Sequence, residues 1–373
     1  MNGADQMVAP TKGGEACRGK STFTNEKWKV FFKRASTHIT ARKEKKMKKL
    51  WIATLVMLFC FWFVTTGVLQ AAEKYPVKPI ECILGVEAGA DGDVMVRPLL
   101  DKISQKLGQP IVVVNKPGGG SSIAYRAIHD AKPDGYTFGW YSATIITNKL
   151  SGILPYDYHD FVHLGAYATY FPIIVSSVKS KYKFNTLQEV VSFATAHPGD
   201  VIMSVGSVGQ SWWVAAMAFI NATGIKLNVI PQPGTGAMTI AQVAGGHADI
   251  GVVALGSSKG MIDSGQVKFL ASLGADRPAP PYEKFPTVKE LGWDAVWEST
   301  NGLMAPPKFP KGYADILIPL IKEAAHDPEY KKFVAERNAR WEYIPPDQSI
   351  PTFDKRRTVV REIMRNAGIL KEK

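Results

Sequence analysis

Residues 80–94 read IECILGVEAGADGDV and contain a short apolar strand, a glycine-rich loop and the start of a helix. The same unit follows at once, with a strand at 110–114, a loop at 115–122 and a helix through His129, before a third strand at 136–141. Strands that alternate with helices are typical of βαβ units and a mainly parallel sheet. The strands are nearly continuous apolar runs, which predicts burial on both faces.

A second series of units begins after Phe171, with Thr186 as the expected N-cap of its first helix. Its predicted strands are 173–178, 201–205, 227–231, 250–254 and 267–272, and its predicted helices are 186–196, 212–221 and 237–244. From Lys311 the chain is expected to be helical, at 313–325 and 328–337, with no further strand.

Two series of units predict two α/β lobes. The final helices are expected to return to the first lobe, which would then comprise 73–171 and 300–373, with 172–299 as the second lobe. The chain would cross between them near 168–172 and 299–306. Two lobes joined by two crossings form a hinged arrangement suited to capturing a ligand by closure.

The net charge of +12 is concentrated at the N-terminus and does not indicate binding to nucleic acid. The first 49 residues contain 13 Lys and Arg against 4 Asp and Glu, which accounts for +9 of the total. The remainder carries only +3 and has 32 basic against 29 acidic residues.

An uncharged apolar run, 50–69, follows Lys48 and Lys49 and ends in Gln70-Ala71-Ala72. A positive region, an apolar region and small residues are typical of a secretory signal peptide, here 47–72, and predict a periplasmic protein. The alternative is an uncleaved membrane anchor, since about 20 apolar residues span a bilayer. Residues 1–46 are interpreted as a misassigned start or a disordered extension.

Cys82 is the single cysteine after this segment, so the exported chain is predicted to have no internal disulfide. We also predict no metal site and no cofactor.

Four glycine-rich loops lie where strands lead into helices, at 89–93, 117–122, 206–211 and 234–236. Ligands of open α/β sheets bind at such loops, and helix N-termini favour anions. The alternative is that the glycines serve tight packing, which is our interpretation of 117–122. Asp93 is expected to cap the following helix, whereas Asp91 opposes an anion site.

A catalytic interpretation finds little support. Ser211 would be the nucleophile, but an elbow requires glycine two residues later, where this chain has Trp213. His247 and Asp249 are expected at the opposite end of the sheet. Trp140, Tyr141, Trp212 and Trp213 are interpreted as core residues; if two of them line the cleft, the ligand has a flat or apolar body.

At these loops the sequence resembles the Bug family of periplasmic receptors, the solute-binding components of tripartite tricarboxylate transporters. The motifs that carry the resemblance run from Tyr75 to near the C-terminus. They are YPVKPI at 75–80, DVMVR at 93–97, LGQPIVVVNKPGGG at 107–120, PDGYT at 133–137, HPG at 197–199, AGGHAD at 244–249, PTVKELG at 286–292 and AP at 305–306.

The resemblance implies two α/β lobes in a Venus-flytrap arrangement, with a small carboxylated solute held between them by backbone amides and hydroxyls. It also implies integral membrane transporter subunits as partners for a monomeric, non-enzymatic receptor. The candidate ligand-binding residues are Gly89, Ala90, Asp91, Gly92, Asp93, Ser142, Ala143, Gly206, Ser207, Gln210, Ser211, Gly234, Thr235 and Gly236.

The first loop departs from the family pattern, Pro-Gly-Gly-Gly-Thr-Asp, and reads EAGADGD at 87–93. The extra acids leave several ligands open: a dicarboxylate if the acids face solvent, a carboxylate with an amino or other cationic group, or an aromatic acid. A sensory receptor domain and a periplasmic hydrolase remain alternatives to a transport receptor.

Overall fold

The computed structural model describes residues 75–233, 236–337 and 339–372, together with Met47, Trp51 and Met57. The predicted N-terminal extension and nearly all of the predicted signal peptide therefore lie outside the described residues. The chain divides into the units Met1–Glu73 and Lys74–Lys373, and the three described ranges all belong to the second unit. Within these ranges, no helix has the length and apolar character needed to cross a membrane.

The second unit contains strands and helices in alternation. Its strands are β1 (Ile80–Leu84), β2 (Ile111–Asn115), β3 (Thr137–Tyr141), β4 (Val162–Tyr170), β5 (Pro172–Ser177), β6 (Ile202–Val205), β7 (Asn228–Pro231), β8 (Ile250–Ala254), β9 (Val267–Ser272), β10 (Ser299–Ala305) and β11 (Arg340–Ile344). Its helices are α1 (Asp91–Leu107), α2 (Ser122–His129), α3 (Thr144–Leu150), α4 (Leu187–Ala196), α5 (Ser211–Thr223), α6 (Gly236–Gly245), α7 (Leu255–Asp263), α8 (Lys311–His326), α9 (Pro328–Glu336) and α10 (Pro346–Asn366).

The strands form two separate sheets. The first has six strands in the order β11-β4-β10-β3-β1-β2, and the second has five in the order β7-β6-β8-β5-β9. Both β5 and β8 are buried along their whole length, as their apolar sequences predict.

Both sheets are mixed, so the prediction of mainly parallel sheets is wrong. Strands β1, β2 and β3 pair in parallel, as do β6, β7 and β8. Strands β4, β10 and β11 pair antiparallel, and so does β5 with β8 and β9. The antiparallel pairs arise where the chain passes between sheets, since β4 runs directly into β5 and β10 returns beside β4.

The helices begin and end with recognisable signals. Thr186 caps α4 as predicted, in a reciprocal pair with Glu189. Helix α1 ends at Gly108, which has the left-handed conformation common after a helix. It begins at Asp91 with Ala90 as N-cap, so the prediction that Asp93 caps this helix is wrong.

The end of the chain also differs from the expectation of helices alone. Strand β11 pairs with β4, and the long helix α10 follows it. Helix α10 packs against α3 and β4 beside the first sheet and against α5 beside the second. Phe353 and Ile363 of this helix belong to the same apolar cluster as Trp213 and Phe219 of α5.

Candidate functional site

A pocket lies where elements of both sheets meet. Its walls come from the loop before α1, the end of β3, the starts of α5 and α6, and the first residues of β10. The residues that line it are Val86, Ala90, Asp91, Gly92, Ser121, Trp140, Ser142, Thr144, Tyr170, Gln210, Ser211, Trp212, Gly236, Ser299 and Asn301.

Three helix N-termini reach this pocket. Helix α1 contributes Asp91 and Gly92, α5 contributes Ser211 and Trp212, and α6 contributes Gly236. The first turn of a helix leaves backbone N–H groups without intrahelical partners and carries a partial positive charge. Among the described lining residues there is no Lys or Arg, so these backbone groups provide the positive potential.

Hydroxyl groups line the side of the pocket next to β3. The hydroxyl of Tyr125 lies 2.7 Å from Oγ1 of Thr144, which in turn lies 2.8 Å from Oγ of Ser142. The Tyr125 oxygen also accepts the backbone N–H of Ser142 over 3.3 Å. This network fixes the positions of two hydroxyls that line the pocket, and either can turn a proton toward an anion.

The described partner of the Ser211 hydroxyl is a hydrogen-bond donor and not a base. The indole N–H of Trp297 donates to Oγ of Ser211 over 2.9 Å, which leaves the Ser211 proton free to point elsewhere. A catalytic serine needs a base that accepts its proton. Asp249, which lies just before β8, instead accepts hydrogen bonds from the Ser180 hydroxyl and the Ile202 backbone N–H. The geometry therefore does not favour the hydrolase interpretation.

One hydrogen bond joins elements of the two sheets beside the pocket. Thr147 Oγ1 in α3 donates to the carbonyl of Gly209, in the loop before α5, over 2.5 Å. The neighbouring Asn148 donates to the carbonyl of Gly120 over 2.8 Å. The loop at 117–122, interpreted from sequence as structural, therefore contributes to the same wall, and its Ser121 lines the pocket.

Asp91 is the one acidic side chain among the described lining residues, and it is half-buried. Its Oδ1 lies 3.4 Å from the point that a Cβ on Gly256 of α7 would occupy. Burial raises the pKa of Asp91, while the Ser257 hydroxyl and the positive charge of Arg337 act in the opposite direction. The carboxyl group thus lies at the contact between α1 and α7, beside the anion-favouring groups.

Asp93 is not among the lining residues of this pocket, and its role in ligand binding stays a prediction. Its oxygens accept from Arg97 over 2.7 Å, from Asn115 over 2.9 Å and from the backbone N–H of Gly89 over 3.0 Å. Burial opposes ionisation, but these hydrogen bonds and the charge of Arg97 lower the pKa of Asp93. The Asp93 carboxylate therefore stabilises the first loop, 87–93, without lining the pocket.

The candidate residues divide into three groups. Those that the structure brings together around the pocket are Ala90, Asp91, Gly92, Ser142, Gln210, Ser211 and Gly236. Those outside it are Gly89, Asp93, Ala143, Gly206 and Ser207; the Ser207 hydroxyl donates to the Gln232 carbonyl, and Ala143 is buried as the N-cap of α3. Gly234 and Thr235 lie outside the described residues.

Several lining residues are not among the candidates from sequence. Trp140 and Trp212 are interpreted there as core, although their positions, near the end of a strand and at the start of a helix, were a usable signal. Trp140 lies over Gly92, where an added Cβ would come within 2.9 Å of its ring. Ser299 and Asn301 come from β10, a segment expected from sequence only as a crossing. The remaining additions are Val86, Ser121, Thr144 and Tyr170.

Known structures share this architecture. Periplasmic binding protein BugD has 22% sequence identity and a TM-score of 0.72 over 80% of this chain and 100% of its own. R. palustris Rpa4515 with adipate has 21% identity and a TM-score of 0.73 over 79% of this chain and 99% of its own. The chain thus has the two-lobed fold of periplasmic binding proteins, with two sheets and a pocket at their junction.

The family follows from the sequence itself. The profile of the tripartite tricarboxylate transporter family receptors, TctC, matches residues 95–364, and the chain belongs to this family. Protein BugT of Bordetella pertussis is 28% identical over 329 residues, which are 85% of this chain and 97% of the relative. The resemblance to the Bug receptors is thereby confirmed.

Proposed function

We propose that the protein captures a small carboxylated solute in the pocket between its two sheets and delivers it to the membrane subunits of a tripartite transporter. The observation that carries the proposal is the convergence of the N-termini of α1, α5 and α6 on one pocket lined by hydroxyls. Such a site stabilises a carboxylate by hydrogen bonds to backbone N–H groups and by the helix dipoles.

Relatives of the same fold support this ligand class. The structure of Rpa4515 contains adipate, and that of MatC from Rhodopseudomonas palustris contains malate. The second structure has a TM-score of 0.66 over 78% of this chain. Both ligands are dicarboxylates, which makes dicarboxylates the first compounds to test.

The sheets provide the two lobes of the proposed mechanism. We assign residues 73–171 and 300–373 to one lobe and 172–299 to the other, with the crossings at β4–β5 and before β10 as the hinge. A ligand that contacts both lobes favours the closed form by its greater affinity for it. The Thr147–Gly209 hydrogen bond is one of the contacts that closure completes.

The proposed setting is the periplasm, where a monomeric receptor meets its integral membrane partners. We infer that the protein carries the solute unchanged and is not an enzyme. Support comes from membership in a receptor family and from Ser211, whose described hydrogen bond comes from the indole N–H of Trp297.

Thermal unfolding of the full-length chain tests the proposal. A ligand that binds only the native state raises its stability, by about 2.7 kcal/mol at one hundred times the Kd. We expect at least one acid among adipate, malate and aromatic acids to raise the Tm, and its neutral diamide or amide to leave it unchanged. Equal shifts with acid and amide, or no shift with any acid, would contradict carboxylate capture.

A further inference from the structure

Asn301 carries a buried hydrogen-bond acceptor that no described residue satisfies. The residue is 5% exposed, and its Oδ1 has no hydrogen-bond partner within the described ranges. Buried polar atoms are nearly always paired, because an unpaired one costs about 1–3 kcal/mol. An exception that lines a pocket is best explained by a partner that arrives with the ligand.

The strand geometry directs Asn301 toward the pocket. Alternate residues of a strand face the same side, and Ser299 and Asn301 both line the pocket. Thr300, between them, faces the other way, where its Oγ1 lies 2.9 Å from that of Thr169.

Tyr170 is a polar neighbour of Asn301 in the pocket wall. The Tyr170 hydroxyl donates to the backbone carbonyl of Asp91 over 3.3 Å, so its oxygen is available as an acceptor. Burial raises the pKa of Tyr170 well above its ordinary value, and the nearby Asn301 side chain acts in the opposite direction. The Asn301 amide oxygen itself has no partner within the described ranges.

We propose that Asn301 is a specificity-determining residue whose Oδ1 accepts a hydrogen bond from the ligand, so that the receptor selects carboxylates bearing a hydroxyl or ammonium group. This inference rests on the proposed function and adds a second requirement to it. The helix N-termini bind the carboxylate, and Asn301 accepts a hydrogen bond from a donor group elsewhere on the same ligand.

An unsubstituted acid does not meet this requirement. An ionised carboxylate offers acceptors alone, so succinate leaves the Asn301 oxygen unpaired and brings further acceptors beside it. A hydroxyl or an ammonium group pairs with the oxygen, and the ammonium group is also attracted by Asp91. Sites built around a buried hydrogen bond discriminate strongly against ligands that lack the matching group.

Calorimetric titration of the full-length chain with matched acids tests the inference. One series is succinate, malate and aspartate; the other is 3-phenylpropionate, 3-phenyllactate and phenylalanine. Within a series the compounds differ only in a hydrogen, a hydroxyl or an ammonium group at one carbon. We expect the substituted acid to bind about tenfold more tightly than its parent in at least one series.

Asn301→Leu removes the acceptor while keeping a similar volume. We expect this variant to lose the preference for the substituted acid over its parent. Asn228→Leu, at an exposed position of β7, is the matched control and should keep the preference. The ligand-free Tm of Asn301→Leu shows that the variant is folded at the temperature of the titration.

The outcomes separate this inference from the proposed function. If acids bind but the preference is absent, or persists in both Asn301→Leu and the smaller Asn301→Ser, the role of Asn301 is overturned while carboxylate capture stands. If no acid of either series binds and none raises the Tm in the wider screen, both are overturned. Preference for the hydroxy acid or for the amino acid identifies the donor.

Discussion

Trp297 donates its indole N–H to Oγ of Ser211 over 2.9 Å, and so a buried residue just before β10 orients a hydroxyl at the start of α5. Because the Ser211 oxygen is occupied as an acceptor, its proton is directed to other acceptors, among which a bound carboxylate is the natural one. The Ser211 hydroxyl is thus oriented to donate a hydrogen bond to a bound anion.

Trp297→Phe should weaken carboxylate binding several-fold, because Ser211 loses the bond that orients it, worth about 1 kcal/mol. Ser211→Ala should weaken binding by a similar amount, and the double variant should be no worse than Ser211→Ala alone. Titration calorimetry of the three variants measures this coupling, with Trp293→Phe as the control. Additive losses would show that Trp297 acts independently of Ser211.

Gly92→Ala should impair ligand binding more than it impairs folding. The added Cβ would come within 2.9 Å of the Trp140 ring, so the ring must move within the pocket. The matched control is Gly260→Ala in α7, where an added Cβ meets nothing within 4 Å and should stabilise the helix by about 0.5–1 kcal/mol. Unchanged affinity in Gly92→Ala would mean that the position of Trp140 is irrelevant to the ligand.

Asp91→Asn should tighten the binding of an unsubstituted dicarboxylate several-fold, since it removes a negative charge beside the anion site. The same substitution should weaken the binding of an amino acid, because the ammonium group loses its attraction to Asp91. Burial raises the pKa of Asp91, so wild-type affinity for the plain acid should also rise as the pH falls and Asp91 is neutralised. A pH profile identical in wild type and Asp91→Asn would contradict this role.

Asp93→Asn should lower the free energy of unfolding by about 1–3 kcal/mol at neutral pH. The folded-state pKa of Asp93 is below its unfolded value of about 3.9, so its contribution is fully present above that pH and is lost as the pH falls through the folded pKa. Denaturant unfolding at a series of pH values should therefore show the gap between wild type and variant closing in acid.

Asp101→Asn, an exposed change in the same helix, is the control for this experiment. A gap between wild type and Asp93→Asn that stays constant from neutral to acid pH would exclude the ionised carboxylate as its source.

The sequence predicted the elements built from consecutive units. Strand β1, helix α1 and the loop between them carry clear local signals: an apolar run, glycines, and an amphipathic helix. Strand β10 has the sequence STNGLMA, whose polar residues and glycine do not indicate a strand, although every position is buried. Helix α10 contains Pro351 within its early turns, and α7 contains Gly256 and Gly260, so local propensity argued against both.

The residues that line the pocket were also only partly predicted from the sequence. Gln210 and Ser211 were found because a helix N-terminus after a glycine-rich loop has a chemical consequence readable from sequence. Asn301 was not found, because its place in the pocket depends on β10 returning between β3 and β4, a pairing between segments far apart in the chain. The hydrogen bond of Asp93 with Asn115 was not predicted, because Asn115 lies on the next strand and sequence spacing does not show that contact.

The proposed function requires hydroxyls from both lobes, beside the converging helix N-termini, to bind one carboxylated solute. Calorimetric titration of the tightest-binding acid into the wild type and into a Ser142→Ala/Ser211→Ala double variant tests this dependence. We expect an affinity at least about tenfold lower in the double variant, measured at a temperature well below its ligand-free Tm. Equal affinity for wild type and double variant would contradict capture of the solute by these hydroxyls.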